Sequence, residues 1–388
     1  MNSLLRFPWE GYRHDTYSFI GNDFFVSGGA YGILEAYDYN TNLISRFVGH
    51  EGDIRSITTS ANGNFMITSG TDMTMRLWPI NEIGKNKGDV NSIYPVVSIF
   101  IAENNEWVIW NNEGYFTSSK KGAKYVGYHV NQVKGKEAKF YPFDQFNIKY
   151  NRPDIILKSL GVADSGTIDL YERAYKKGLK RMGMTDDDLQ VDSQAPNLNI
   201  VSYQVTGSIL KLDIKASDEK YNWNRINIFI NDVPIYGRRG LEMKDKTLQN
   251  YTSTLNVELM NGENKVQVSV LNNNGVESLR ETVYATSNQT AAGDLYMISI
   301  GVSNYKDTKF NLNYAAKDAQ DMVNAFEENT VYETVHQKII INEKVTCENI
   351  FELKEFLKSA KTNDVVMLFT AGHGVLYRYG ICISPISK

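Results

Sequence analysis

The most regular hydrophobic pattern in this chain lies between residues 195 and 286. Apolar and polar positions alternate there with period two through LNIVSYQV, ILKLDIKA, INIFIND, STLNVELM, KVQVSVLN and LRETVYAT. Such alternation turns one face of a strand inward and the other to water. The segments ASDEK, MNGEN and NNNG supply turn residues between the runs. Short strands at this spacing predict an immunoglobulin-like β-sandwich over 195–286, without a cysteine pair to staple it. Residues 287–293, SNQTAAG, are small and polar and predict a linker. From Asp294 the period changes. LYMISIGV and DVVMLFT are continuous apolar runs of strand type, with KIIIN as a third strand between them. AAKDAQDMVNAFEE sets Ala316, Ala319, Met322, Val323 and Phe326 on one helical face, and ENIFELKEFLKSA predicts a second helix. Strands alternating with helices predict a mostly parallel sheet flanked by helices over 294–388.

Residues 1–90 read as short strands between turns. In GHEGDIRSITTSANGNFMITSGTDMTMRLW (Gly49 to Trp78), ITT, FMITSG and TMRLW are strand-like, with turns at SANGN and GTDM. The opening Gly-His, the turn Asp and the closing Trp resemble a WD repeat, one blade of a β-propeller. The resemblance implies a buried hydrogen-bonded network of His50, Ser69, Asp72 and Trp78. An imidazole and an indole taken out of water each need such a partner. FFVSGGAYGILEAYD (Phe24 to Asp38) reads as part of a second, degenerate blade, so the propeller is expected to be partial; an unrelated antiparallel meander is the other reading. Residues 91–161 are aromatic-rich and predict hairpins followed by a short helix ending at Gly161, a β-rich bridge. Residues 162–194 predict a linker with one amphipathic helix, YERAYKKGLKRMG, and an acidic run Asp186–Asp188 that reads as a solvated face.

In an open parallel sheet, ligands bind at the carboxyl ends of the strands. The chain puts Thr370-Ala371-Gly372-His373-Gly374 there. Flanking glycines permit a sharp turn and close substrate approach, although Gly-His-Gly is also compatible with a plain turn. VVMLFTAGHG, together with SIGVSNY and LNYAAKDA, resembles the caspase and metacaspase family of cysteine peptidases, especially its bacterial members. The resemblance covers residues 294–376. With the WD blade, the bridge and the immunoglobulin-like segment, it resembles a bacterial architecture that ends in a caspase domain. It implies that His373 is the catalytic histidine, which activates a thiol and protonates the leaving amine. It implies that Gly374 contributes to the oxyanion hole. Asp318 matches an acidic residue of the metacaspase specificity pocket, which would favour Lys or Arg before the scissile bond. Ala315 stands where metacaspases often carry a cysteine, and a solvated first-turn aspartate is the other reading of Asp318.

In caspases the nucleophile lies about 50 residues beyond the histidine. Here fifteen residues follow His373, so the nucleophile is expected to be absent and the chain to be a catalytically incomplete portion of a peptidase. Cys347 and Cys382 read as ordinary semi-buried thiols, and the tail YRYGICISPISK is expected to leave the family pattern. The alternative is a non-enzymatic interaction scaffold with a vestigial caspase-like domain. A nucleotide-binding domain is disfavoured, because SNYKD and not a glycine-rich loop follows the first strand.

Composition narrows the picture further. The 388 residues exceed one ordinary domain, at about 100–200 residues each. A net charge of −4 gives no electrostatic case for nucleic acid. Two cysteines support neither a disulfide framework nor a cysteine-rich zinc site. No metal and no cofactor is expected. No run approaches the roughly 18 apolar residues of a membrane span, and no signal peptide is seen, which leaves the cytoplasm as the expected location. The expected partners are a protein or peptide substrate and a protein docked on the WD-repeat region.

Overall fold

The computed structural model describes residues 13–21, 23–86, 88–131, 134–135, 137–189, 194–243, 247, 249–288, 293–326, 331–377 and 380–382. Most of the expected linker 287–293 lies outside the described residues, as do residues 1–12 of the propeller segment.

Two sheets form the N-terminal part. The first is a meander of His14–Ile20, Phe24–Gly29, Leu34–Asp38 and Leu43–Phe47, joined in parallel by Asn91–Ile93. The second runs antiparallel through Ile54–Thr59, Phe65–Gly70, Thr74–Pro79, Val97–Ile101, Trp107–Trp110 and Phe116–Ser118. It continues through the expected boundary at residue 90: Leu77 pairs with Val97 and Thr74 with Phe100. Val26, Leu34, Ile54, Met66, Trp78 and Ile93 lie in one core shared by both sheets. Packing of the two meanders against each other removes this apolar surface from water.

The blade is tied by a polar relay through its core. His50 Nδ1 lies 2.8 Å from Asp72 Oδ2, and His50 Nε2 lies 2.8 Å from Thr68 Oγ1. Trp78 Nε1 donates to the same Thr68 oxygen at 2.8 Å. A neutral imidazole protonated on Nδ1 satisfies every member: it donates to the carboxylate, accepts the Thr68 hydroxyl proton, and Thr68 accepts from the indole. The hydroxyl in this relay belongs to Thr68 and not to Ser69. Side chains alternate along a strand, so Met66 and Thr68 face the core while Ser69 is turned to the opposite face. Burial holds the His50 imidazole below its ordinary value despite the adjoining Asp72 carboxylate. Burial also opposes ionisation of Asp72, but hydrogen bonds from His50 and Thr74 outweigh it and keep this carboxyl below the usual range.

Residues 197–287 form a two-layer sandwich. One sheet is Asn197–Thr206, Ile209–Ser217 and Asn250–Glu258; the other centres on Trp223–Ile230, Gly262–Asn272 and Glu281–Ser287. Leu210, Leu212, Ile214 and Ala216 alternate inward and meet Ile226, Ile228, Val266, Val268 and Val270 in one core. The segment read as a linker is packed. Its helix Ser165–Met182 is capped by Asp164, whose side chain accepts from the Thr167 amide, and is closed by left-handed Gly183. Leu179, Met184 and Leu189 then pack against Leu271 of the sandwich. The acidic run becomes a short turn in which Asp186 accepts from the Tyr175 hydroxyl at 2.6 Å.

The C-terminal sheet is parallel, in the order Val335–Ile341, Leu295–Gly301, Val365–Ala371. Every residue of the central strand is buried, as its unbroken apolar run requires. The helix Ala315–Asn324 covers it closely. A Cβ on Gly301 would stand 2.4 Å from the Ala315 carbonyl oxygen, so this contact requires glycine. Among the described residues the histidine strand Val365–Ala371 pairs on one side only, and Val365, Val366 and Leu368 are 42%, 50% and 62% exposed. Beyond it Val375–Tyr377 and Gly380–Cys382 form a separate hairpin.

Two outcomes follow from these contacts. Thr68→Val leaves two buried ring nitrogens without a partner and is expected to cost about 2–4 kcal/mol, against about 0.5 kcal/mol for Ser69→Ala, measured by denaturant unfolding. The unfolded chain protonates His50 near the ordinary value of about 6.5, whereas the fold resists protonation. Blade stability is therefore full above that pH and declines as pH falls below it, toward the depressed folded value, with Asp72 adding a further loss in the acid range. Melting curves from pH 7.5 to 5 check this, and an unchanged midpoint in that window refutes it. Separately, Val366→Lys with Leu368→Lys should reduce self-association in sedimentation velocity, because charge on an open apolar strand opposes edge pairing.

Candidate functional site

The carboxyl ends of the three parallel strands are laced together by their own loops. Asn342, just beyond Val335–Ile341, accepts from the amides of Ser303 and Asn304 at 2.9 and 3.1 Å. Ser303 Oγ accepts from the Ala316 amide at 2.9 Å, which ties the central strand's loop to the first turn of the helix. Asn311 Oδ1 accepts from the Tyr305 amide at 2.8 Å, and the Val302 amide donates to the Ala371 carbonyl at 2.9 Å. The loop carrying Tyr305 and Phe310 is thereby fixed against the end of the histidine strand.

His373 sits at that point. Its backbone N–H donates to the Tyr305 hydroxyl at 2.7 Å, and its ring lies 5.3 Å from the Tyr305 ring and 6.1 Å from that of Phe310. Its Nε2 is 3.0 Å from the backbone carbonyl oxygen of Phe310. A carbonyl only accepts, so Nε2 must carry the proton. The neutral ring then presents an unprotonated Nδ1, a lone pair able to take a proton from a nucleophile. The orienting partner is a main-chain oxygen, which fixes the tautomer without adding a formal charge. Tyr305 and Phe310 stand in the loop SNYKDTKFNLNY between the central strand and the helix Ala315–Asn324. Tyrosine in a loop carries no distinctive signal, and a carbonyl contributed by the backbone has none at the level of residue type.

The remaining expected residues are placed as follows. Gly374 adjoins His373 and is exposed. Asp318 lies in the first turn of the helix Ala315–Asn324, exposed, with no hydrogen bond or ion pair to His373 among the described residues. Cys347 opens the helix Cys347–Leu357 and is exposed rather than semi-buried, because the Thr346 cap turns this first position to solvent. No thiol is among the contacts of His373 in the described residues. The hairpin register sets the backbone of Cys382 opposite Val375. His50, Asp72 and Trp78 belong to the blade relay with Thr68 and stand in a separate sheet. Among the described residues no group of three His, Cys, Asp or Glu could hold a metal ion, and no helix is long and apolar enough to cross a membrane.

Comparison with known proteins bears on two stretches of the chain. The family model of the caspase domain matches residues 296–387, and that of the WD domain, G-beta repeat, matches residues 41–79. The caspase match runs through the tail, which corrects the expectation that YRYGICISPISK leaves the family pattern. Solved structures with local likeness include the fibronectin(III)-like modules of Clostridium thermocellum CbhA, at 16% identity over 25% of this chain and 48% of that one, TM-score 0.20. The C-terminal WD40 domain of Sif2 matches at 15% identity over 29% of this chain and 36% of that one, TM-score 0.19. The β-propeller domain of Myceliophteria thermophila Cps50 (Swd1) matches at 9% identity over 75% of this chain and 77% of that one, TM-score 0.18. This chain thus spans less than half the length of the CbhA and Sif2 structures. No curated protein matches. The parallel sheet that presents His373 and the buried relay of the blade therefore fall within two family matches, and the chain combines a WD-domain repeat with a caspase domain in one polypeptide.

Proposed function

We propose that this chain supplies the base half of a caspase-type cysteine endopeptidase site, with His373 as the general base and acid. The caspase domain suggests protease-like chemistry, and the WD repeat points to interaction with other proteins. The observation that carries the reading is the bond from His373 Nε2 to the Phe310 carbonyl. It holds the ring at the mouth of the sheet and, in the neutral ring, puts the lone pair on Nδ1, the atom that would take a thiol proton. Gly374, next to it and exposed, is read as a contributor of an oxyanion-hole amide. Asp318, exposed on the adjacent helix, is read as favouring Lys or Arg before the scissile bond. The thiolate is not assigned to Cys347, which faces solvent from the flank of the sheet. The sandwich is read as an immunoglobulin-like spacer, and the protein as cytoplasmic. A scaffold without enzyme activity is the second reading, favoured by the exposed position of Cys347 on a flanking helix.

A base with no thiolate beside it gives little rate enhancement, and no thiol is among the described contacts of His373. The purified chain is therefore expected to leave fluorogenic Arg and Lys peptides uncleaved. Turnover abolished by His373→Ala would overturn this, and loss with Cys382→Ala or Cys347→Ala would identify the thiol. The base assignment has its own check in the imidazole nitrogen shifts of His373. A proton on Nε2 is expected, and a proton on Nδ1 would reject the role.

A further inference from the structure

A cavity of about 440 Å³ lies between the helix Ser165–Met182 and the sandwich strand Trp223–Ile230. Its walls are largely apolar and aromatic, with Tyr171, Tyr175, Leu179, Met182, Phe229 and Leu271 among them. At this wall stands Arg225, only 3% exposed. Its guanidinium has no carboxylate within ion-pair distance among the described residues. Nη1 donates to the Arg238 carbonyl at 2.6 Å and Nε to Asn224 Oδ1 at 2.9 Å. Nη2 is left with weak partners, the Met182 carbonyl at 3.5 Å and the Met184 sulfur at 3.8 Å. Glu277, which also lines the cavity, is engaged by Ser269 Oγ and by Arg280 Nε at 3.4 Å. Glu277 is the carboxylate that acts on Arg225, from beyond ion-pair distance; a buried cation so weakly neutralised is costly, and the long contacts of Nη2 leave it able to take an anion.

A second observation concerns the helix. Gly178 lies in its interior and lines the cavity, a position where glycine weakens a helix relative to alanine. Neither backbone geometry nor crowding requires glycine there. A Cβ would meet only Arg238 Nη1, at 3.5 Å, the far end of a flexible side chain. The absence of a side chain at this position leaves the Arg238 guanidinium bordering the cavity that Arg225 also lines.

We propose that this cavity binds a small organic carboxylate with an apolar or aromatic body. The carboxylate pairs with the Arg225 guanidinium, Arg238 lends a second positive charge, and the body packs among Tyr171, Tyr175, Leu179 and Phe229. The volume fits the ordinary range of small-molecule sites. No covalent step is involved, and the site is independent of His373.

The test uses the full chain with 4-phenylbutyrate and its neutral amide, 4-phenylbutanamide, as probes in isothermal titration and ligand-observed NMR. The acid is expected to bind about tenfold or more tightly than the amide, since a charge-assisted pair replaces a neutral one. Arg225→Met should erase that preference. Gly178→Leu should fill the cavity and abolish binding of both probes, while the blade and sandwich melt as before and helix content is kept or raised. Gly178→Leu keeps the proposal falsifiable if Arg225→Met fails to fold. Equal affinity for acid and amide, no binding of either, or undiminished acid binding by Gly178→Leu would each overturn it.

Discussion

The constraint on which the described parts of this molecule depend is that a polar group taken out of water must find a partner within the fold. In the blade this constraint selects Thr68, because one hydroxyl between a buried imidazole and a buried indole satisfies both. In the C-terminal sheet it selects Ser299, whose hydroxyl donates to the Ala319 carbonyl at 2.7 Å beneath the covering helix. At the end of that sheet the side-chain oxygens of Asn342, Asn311 and Ser303 take up loop amides that no strand could pair. Backbone amides left bare there would let the loop drift, and the carbonyl that orients His373 would drift with it. Buried side-chain atoms without a hydrogen-bond partner among the described residues include Asp144 Oδ1, Trp223 Nε1 and Ser287 Oγ, in the bridge and sandwich.

Legibility in the sequence follows the range of each interaction. The six alternating runs between 195 and 286 each correspond to an observed strand, because period two is a local signal that burial of one face enforces. The strand–helix order after Asp294 was equally legible, since the short apolar run LYMISIG between turn signals fits a strand buried on both faces. The continuation of the blade sheet past residue 90 was not. Pairing of Leu77 with Val97 depends on a partner some distance along the chain, and no local pattern announces it. The helix Ser165–Met182 was visible as a helix, but its seat on Leu271 was not, because charged residues on its outer face masked the short apolar stripe.

The site was legible in part, and for the same reason. His373 stood out because glycines flank it at the end of an apolar strand. Choosing Ser69 over Thr68 was an error of one position, which on a strand is an error of face. Tyr305 and Phe310 were hidden, since one acts through a hydroxyl placed by folding and the other through an atom that every residue owns.

That last feature sets how the site can be damaged. The atom orienting His373 is the carbonyl of residue 310, and changing the side chain there does not remove it. A substitution at position 310 would therefore remove the edge contact of its ring with His373 but leave the orienting carbonyl in place. The sensitive positions are instead the side chains that fix the loop's path, Asn311 and Asn342, neither of which touches the imidazole through its side chain. Evolution or design that retunes this histidine has to work on the route of the main chain, so loop length between residues 302 and 314 is a tighter constraint on the site than the identity of most residues within it.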